Sequence, residues 1–223
     1  MSSSIKGIVR RFDVRRQFFG RIKGSRKVLE LGCGSGINYE NLRIDSPTTE
    51  YYGVDILPPG EVPPGILYSQ VDLDKNALPY PDGSFEAVLL THVIEHLRDP
   101  FSLGKEIHRV MRPGGLIYVE TPNWTSMLVP SFRFKAHQHN PFNFFDDPSH
   151  IRPYTKQSLF EFLDGACGLR VEKVSTVRNW PRIPWDFVKI GYGLASGNRE
   201  KVVNGFWNIY GWCIFGIAEK EKQ

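Results

Sequence analysis

Residues 28–36, Val-Leu-Glu-Leu-Gly-Cys-Gly-Ser-Gly, constrain this chain more than any other stretch. The apolar run at 28–31 predicts a strand buried on both faces. It passes directly into glycines at 32, 34 and 36. Glycine permits a tight turn and leaves room for a ligand where a Cβ would stand. Residues 35–42 then predict a helix whose unpaired N–H groups face back toward the turn. A strand, a glycine turn and a helix N-terminus in that order form a nucleotide-binding corner of an α/β sheet.

Spacing narrows the kind of nucleotide. The dinucleotide fingerprint is G-x-G-x-x-G, and Ile37 stands where its third glycine belongs. Glu30 lies two residues before the first glycine. This E-x-G-x-G-x-G form resembles motif I of the class I S-adenosylmethionine-dependent methyltransferases. Two later segments, "LPYPDGSFEAVLLTHVIEHL" at 78–97 and "EIHRVMRPGGLIYVETPN" at 106–123, resemble the small-molecule members of the same family. The likeness is strong over 28–121 and looser over 150–177. It implies a Rossmann-like, doubly wound sheet of seven strands in the order 3-2-1-4-5-7-6, with helices on both faces, and S-adenosyl-L-methionine as cofactor.

The predicted elements fit that expectation. Strands are expected at 50–56, 66–71, 85–90, 116–121, 169–177 and 212–219. Asp99 before Pro100 predicts a helix start, Leu103, Ile107, Val110 and Met111 its buried stripe, and Pro113-Gly114-Gly115 its end. Thr155 caps a further helix that Gly168 ends. Residues 122–153 lack periodicity but are dense in aromatics, His and Asp, which predicts a lid or substrate loop. An insert at 178–207 replaces the tight hairpin of the plain fold. Its three tryptophans, 180, 185 and 207, suit either packing or an apolar or membrane-facing surface.

Charge is concentrated at one end. Residues 6–27 hold nine Lys/Arg against the single acid Asp13, leaving 19 basic and 23 acidic side chains in the rest. Ile5, Ile8, Val9, Phe12 and Phe19 fit one helical face in this basic arm, residues 1–27. Such a helix either packs beside the cofactor cleft with a solvated basic face or binds anionic lipid or nucleic acid. Three unpaired cysteines and no signal-like start predict a reducing, cytoplasmic setting, with peripheral membrane contact as an option.

The resemblance assigns cofactor contacts to Glu30, Gly32, Cys33, Gly34, Gly36, Asp55, Ile56, Asp72, Leu73 and Thr91. An acid at the end of strand two accepts hydrogen bonds from ribose hydroxyls, and Asp55 lies there. Asp72 takes the position that bonds the adenine amino group, with the Leu73 N–H beside it. No metal is expected: quinone methyltransferases of this type hold an ion near Glu95 and His96, but with an acid where this chain has His92. For a general base the candidates are His150, stiffened by Pro148 and Pro153 and oriented by Asp146 or Asp147, and His92 at the end of strand four. A packing or capping role for His150 stands beside that assignment. The acceptor is expected to be a small molecule, apolar or lipid- or sugar-linked. Two other functions share these features. An RNA methyltransferase would use the basic arm but lacks a stacking motif and the Asn/Asp-Pro-Pro-Tyr form. A nucleotide-dependent oxidoreductase would need the missing third glycine.

Overall fold

The computed structural model describes residues 9–131 and 141–222. Of the predicted arm, Ile5 and Ile8 lie outside the described residues, as do Phe132, Phe134, His137 and His139 of the predicted loop. Seven strands form one sheet in the order β3-β2-β1-β4-β5-β7-β6. They are β1 (Lys27–Leu31), β2 (Glu50–Asp55), β3 (Leu67–Gln70), β4 (Phe85–Thr91), β5 (Met111–Pro122), β6 (Arg170–Thr176) and β7 (Cys213–Glu219). The first five are parallel, and β7 inserts antiparallel between β5 and β6.

Alternation along the central strands separates two cores. Leu29, Leu31, Val88, Leu90, Ile117 and Val119 face one of them. It is closed by α3 (Pro100–Val110) and by α4 (Lys156–Glu161), which runs on into a π-helical turn, Phe162–Ala166. Val28, Ala87, Leu89, Tyr118 and Phe215 face the other, closed by α1 (Val14–Arg21) and α2 (Ile37–Asp45). Phe18, Phe19 and Ile22 are all buried there. The N-terminal segment is therefore part of the second core, and its arginines are not simply solvated: Arg15 bonds Asn38 and Glu120, Arg16 bonds Asn41, and Arg21 pairs with Glu172.

Several boundaries differ from expectation for local reasons. Helix α2 begins at Ile37, because Gly36 is its N-cap in the left-handed region at φ 72°. Helix α3 ends at Val110, and Met111 already pairs with Phe85, so Pro113-Gly114-Gly115 lies within β5 rather than ending the helix. The insert is a hairpin of two helices, α5 (Ile183–Ser196) and α6 (Arg199–Tyr210). Phe187 and Leu194 of α5 face solvent, while Asp186 and Gly193 face the protein. Both predicted caps are in place: the Asp99 side chain accepts from the Ser102 N–H and that of Thr155 from the Ser158 N–H. Among the described residues, no helix is long and apolar enough to cross a membrane.

Candidate active site

Strand β1 lies between β2 and β4: the chain runs outward from β1 to β2 and β3, then crosses back to β4 on the other side of β1. The carboxyl ends of β1 and β4 therefore open onto a crevice, the usual ligand site of doubly wound sheets. The glycine corner fills that position. Gly32, Gly34 and Gly36 all have positive φ, at 73°, 45° and 72°. The Val54 carbonyl accepts from the N–H groups of Gly32 (2.7 Å) and Cys33 (3.1 Å), tying the corner to β2. A Cβ on Gly32 would come within 2.3 Å of Val93 Cγ2, so packing alone demands glycine there. A Cβ on Gly36 would meet Pro63 at 2.9 Å. Gly34 is different: a Cβ there would project into open space. Only at Gly34 is the missing side chain room for a ligand.

Asp55 sits beside this corner. Its Oδ2 accepts from the Gly34 N–H at 2.8 Å and its Oδ1 from the Leu57 N–H at 3.2 Å. Each oxygen keeps a further lone pair for a ligand hydroxyl. Glu30, by contrast, is buried. It accepts from Asn38 Nδ2 (2.5 Å) and the Tyr51 hydroxyl (2.6 Å), and burial outweighs these bonds to push its carboxyl up to about 7. Asn38 also donates to Thr91 Oγ1 (3.0 Å), joining the ends of β1 and β4. Burial, with the Glu30 and Asp55 carboxylates nearby, raises the Cys33 thiol to about 12, which keeps it an unreactive part of the wall.

A chamber of about 410 Å³ gathers Glu30, Gly32, Cys33, Gly34, Thr91, His92 and His150 from the predicted set. Gly36, Asp55, Ile56, Asp72 and Leu73 lie outside its walls. Ile56 is exposed. Asp72 follows β3, but its carboxylate accepts from Lys75 Nζ (2.7 Å) and the Asp74 N–H (3.1 Å). Leu73 packs against the first core.

The two histidines have opposite electrostatics. His92, directly after β4, has φ 58°, in the left-handed region. Its Nδ1 lies 3.1 Å from Glu95 Oε1 and its Nε2 3.7 Å from Glu120 Oε1. Burial opposes charge on the ring, but Cys213, Glu120 and Glu95 outweigh it and raise the imidazole above its ordinary value. Burial alone would likewise raise Glu120. Arg15 at 2.8 Å, His92 and the Tyr118 hydroxyl instead hold it below the usual carboxylate range. These neighbours favour the charged form of His92, and 34% of its side chain stays exposed to the site.

His150 is the neutral one. Burial lowers its basicity, only partly offset by the Phe144 carbonyl, which its Nδ1 meets at 2.6 Å. The ring stacks on Phe144 at 4.5 Å. The orienting group is therefore this backbone carbonyl, not the expected aspartates. Asp147 Oδ2 is 3.9 Å from Nε2, and Asp146 is occupied by Ser131 and the N–H groups of Phe142 and Asn143. With Nδ1 donating, Nε2 holds the lone pair.

Arg15, Asn38, Glu120, Trp207 and Trp212 complete the site and were not predicted. Trp207 and Trp212 stack at 4.6 Å, each 6.4 Å from the His92 ring, and their indole N–H groups donate to the carbonyls of Pro141 and Phe142. The legible signal was Glu120, an acid inside the otherwise apolar strand 116–121, which requires a buried cation. Two donor groups have metal-ligand spacing among the described residues: His92 with Glu120 and Cys213, and Glu95 with His96 and His150. Both carboxylates are already engaged, Glu120 by Arg15 and Tyr118, Glu95 by His92 and Thr121.

A family model described as a methyltransferase domain matches residues 8–174. A Mycolicibacterium smegmatis protein named as a probable S-adenosylmethionine-dependent methyltransferase is 32% identical over 166 residues, covering 73% of this chain and 59% of that protein. A Pseudomonas aeruginosa ubiquinone biosynthesis O-methyltransferase is 30% identical over 110 residues, 44% of this chain and 45% of its own. The chain thus spans about half the length of these curated relatives. Among solved structures, an S-adenosylmethionine-dependent methyltransferase from Mesorhizobium loti superposes with a TM-score of 0.63 at 17% identity, covering 96% of this chain and 99% of that one. At that identity the likeness is one of fold.

Proposed function

This chain belongs to the class I S-adenosylmethionine-dependent methyltransferases, and we propose that it moves the methyl group of S-adenosylmethionine to a small-molecule acceptor by direct displacement. The observation that carries this is the open position at Gly34, above a chamber that runs past Thr91 to His92. The residues fit the cofactor. Gly34 leaves room for it, Asp55 offers lone pairs to ribose hydroxyls, and Asp72 with the Leu73 N–H stands at the adenine end once Asp72 gives up its exposed contact with Lys75. The bound cofactor supplies a methyl already activated by its sulfonium. The protein has to align the acceptor with it and exclude water.

Within this mechanism His150 takes the acceptor's proton on Nε2. It is neutral, its Nδ1–H is fixed on the Phe144 carbonyl, and Phe144 holds the ring plane. His92, whose charged form Glu95 and Glu120 favour, is less suited to that task. It holds an anionic or electron-rich acceptor atom instead. The test is incubation with methyl-labelled S-adenosylmethionine and separated cell fractions. Label should enter the small-molecule fraction, and label confined to RNA or protein would refute the acceptor class.

A further inference from the structure

A second cavity, of about 580 Å³, lies between α1, the carboxyl edge of the sheet and the α5–α6 hairpin. It shares Arg15, Ile37, His92 and Trp207 with the cofactor chamber, so a molecule held there can reach His92. Its walls carry five Lys/Arg side chains, Arg15, Arg16, Arg178, Arg182 and Lys189, and the His92 ring, against two carboxylates, Asp13 and Glu120.

Pairing within the protein does not balance this excess. Glu120 is taken by Arg15 at 2.8 Å. Asp13 caps α1, accepting from the N–H groups of Arg15 and Arg16. Arg182 is taken by Asp186, at 3.1 Å. Three cations remain. Among the described residues, Arg16 has only the neutral Asn41 Oδ1 (3.1 Å), and Arg178 only the Tyr210 carbonyl (2.7 Å) and the face of Trp180. Lys189 has no ion-pair partner among the described residues. Guanidinium and ammonium groups facing a cavity bind an oxyanion best.

We propose that this cavity binds the methyl acceptor through an anionic group, a phosphate or a carboxylate held by Arg16, Arg178 and Lys189. This rests on the methyl-transfer reading, and it names the acceptor class: a small anion. Phe19, Val177 and Trp207 give the cavity an apolar side. A neutral apolar acceptor would leave the three cations uncompensated, so the expectation of an apolar acceptor does not suit these walls.

The test uses inorganic phosphate and malonate as probes of the two oxyanion types. Each is titrated calorimetrically into the full chain, with and without saturating S-adenosylhomocysteine. The expected result is saturable binding of at least one anion at one site per chain. Arg178→Gln and Lys189→Gln should each weaken it by about tenfold or more, with S-adenosylhomocysteine affinity unchanged. Lys189 is partly exposed and unpaired, so its variant keeps the fold should Arg178→Gln unfold. The tighter anion identifies the group. Absence of saturation by both anions at tens of millimolar, or equal affinity in wild type and both variants, overturns the proposal. Failure of S-adenosylhomocysteine to bind would instead strike the methyl-transfer reading, while the cofactor-free titration still judges the anion site.

Discussion

Glu30→Gln makes a sharp test of how the corner is built. Glu30 is 1% exposed, and its carboxyl is raised from the ordinary 4.5 to about 7, chiefly by burial. At about 1.4 kcal/mol per pH unit, ionising it in the folded protein costs about 3 kcal/mol more than in the unfolded chain. The sign follows from the raised value. The folded state bears no penalty below pH 4.5, acquires it progressively between pH 4.5 and 7, and carries all of it above 7. Glutamine has the same shape and no charge. Its carbonyl can accept from Asn38 Nδ2, and its amide can donate to the Tyr51 oxygen once that hydroxyl turns, so both bonds survive. Urea titrations of wild type and variant at pH 5, 6, 7 and 8 should therefore show the variant gaining about 2–3 kcal/mol relative to wild type between pH 5 and 8. A stability difference that does not change with pH would refute the buried, protonated Glu30. A variant that loses stability at every pH would mean that the Asn38 and Tyr51 bonds require a carboxylate.

Three further outcomes follow from the site. Asp55→Ala should weaken S-adenosylhomocysteine binding by roughly 1.5–3 kcal/mol, since charge-assisted bonds are lost; unchanged affinity by calorimetry would remove Asp55 from the ribose site. Arg15→Met leaves Glu120 with only the His92 ring and the Tyr118 hydroxyl and should cost about 3 kcal/mol in urea denaturation, the low end for a broken buried pair because a quarter of Arg15 is exposed and these partners remain. Adding Glu120→Gln should restore most of that loss, and strictly additive losses would show that the pair is not coupled. His150→Ala, once an acceptor is in hand, should lose about 10²–10⁴ in turnover with cofactor affinity intact; a loss of stability alone would make His150 structural.

The fold was legible because its signals are local or periodic. The 28–36 run placed the corner, and the buried stripe of α3 and the caps Asp99 and Thr155 placed helices near their observed starts. Boundaries slipped where tertiary pairing overrode a breaker. The Pro113-Gly114-Gly115 stretch was absorbed into β5 because Met111 found a partner in Phe85. The cofactor half of the site was legible for the same reason, since strand ends carry it. The acceptor half was not. Arg15 reads as one charge in a basic run and becomes a buried ion-pair partner only when α1 packs on the sheet near Glu120, 105 residues away in sequence. Arg16, Arg178 and Lys189 meet in one cavity only through the packing of α1 against the insert. The opposite shifts of His92 and His150 likewise come from tertiary packing, Glu120 and Cys213 around one ring and burial of the other.

The most direct measurement is calorimetric titration of the full chain with S-adenosylhomocysteine and, separately, with NAD. The geometry of the glycine corner predicts one saturable site for S-adenosylhomocysteine and none for NAD. It also predicts loss of that site in Gly34→Val, whose side chain would fill the one open position of the turn and strain a φ of 45°. Binding of NAD without S-adenosylhomocysteine, or full S-adenosylhomocysteine affinity in a folded Gly34→Val, would contradict it.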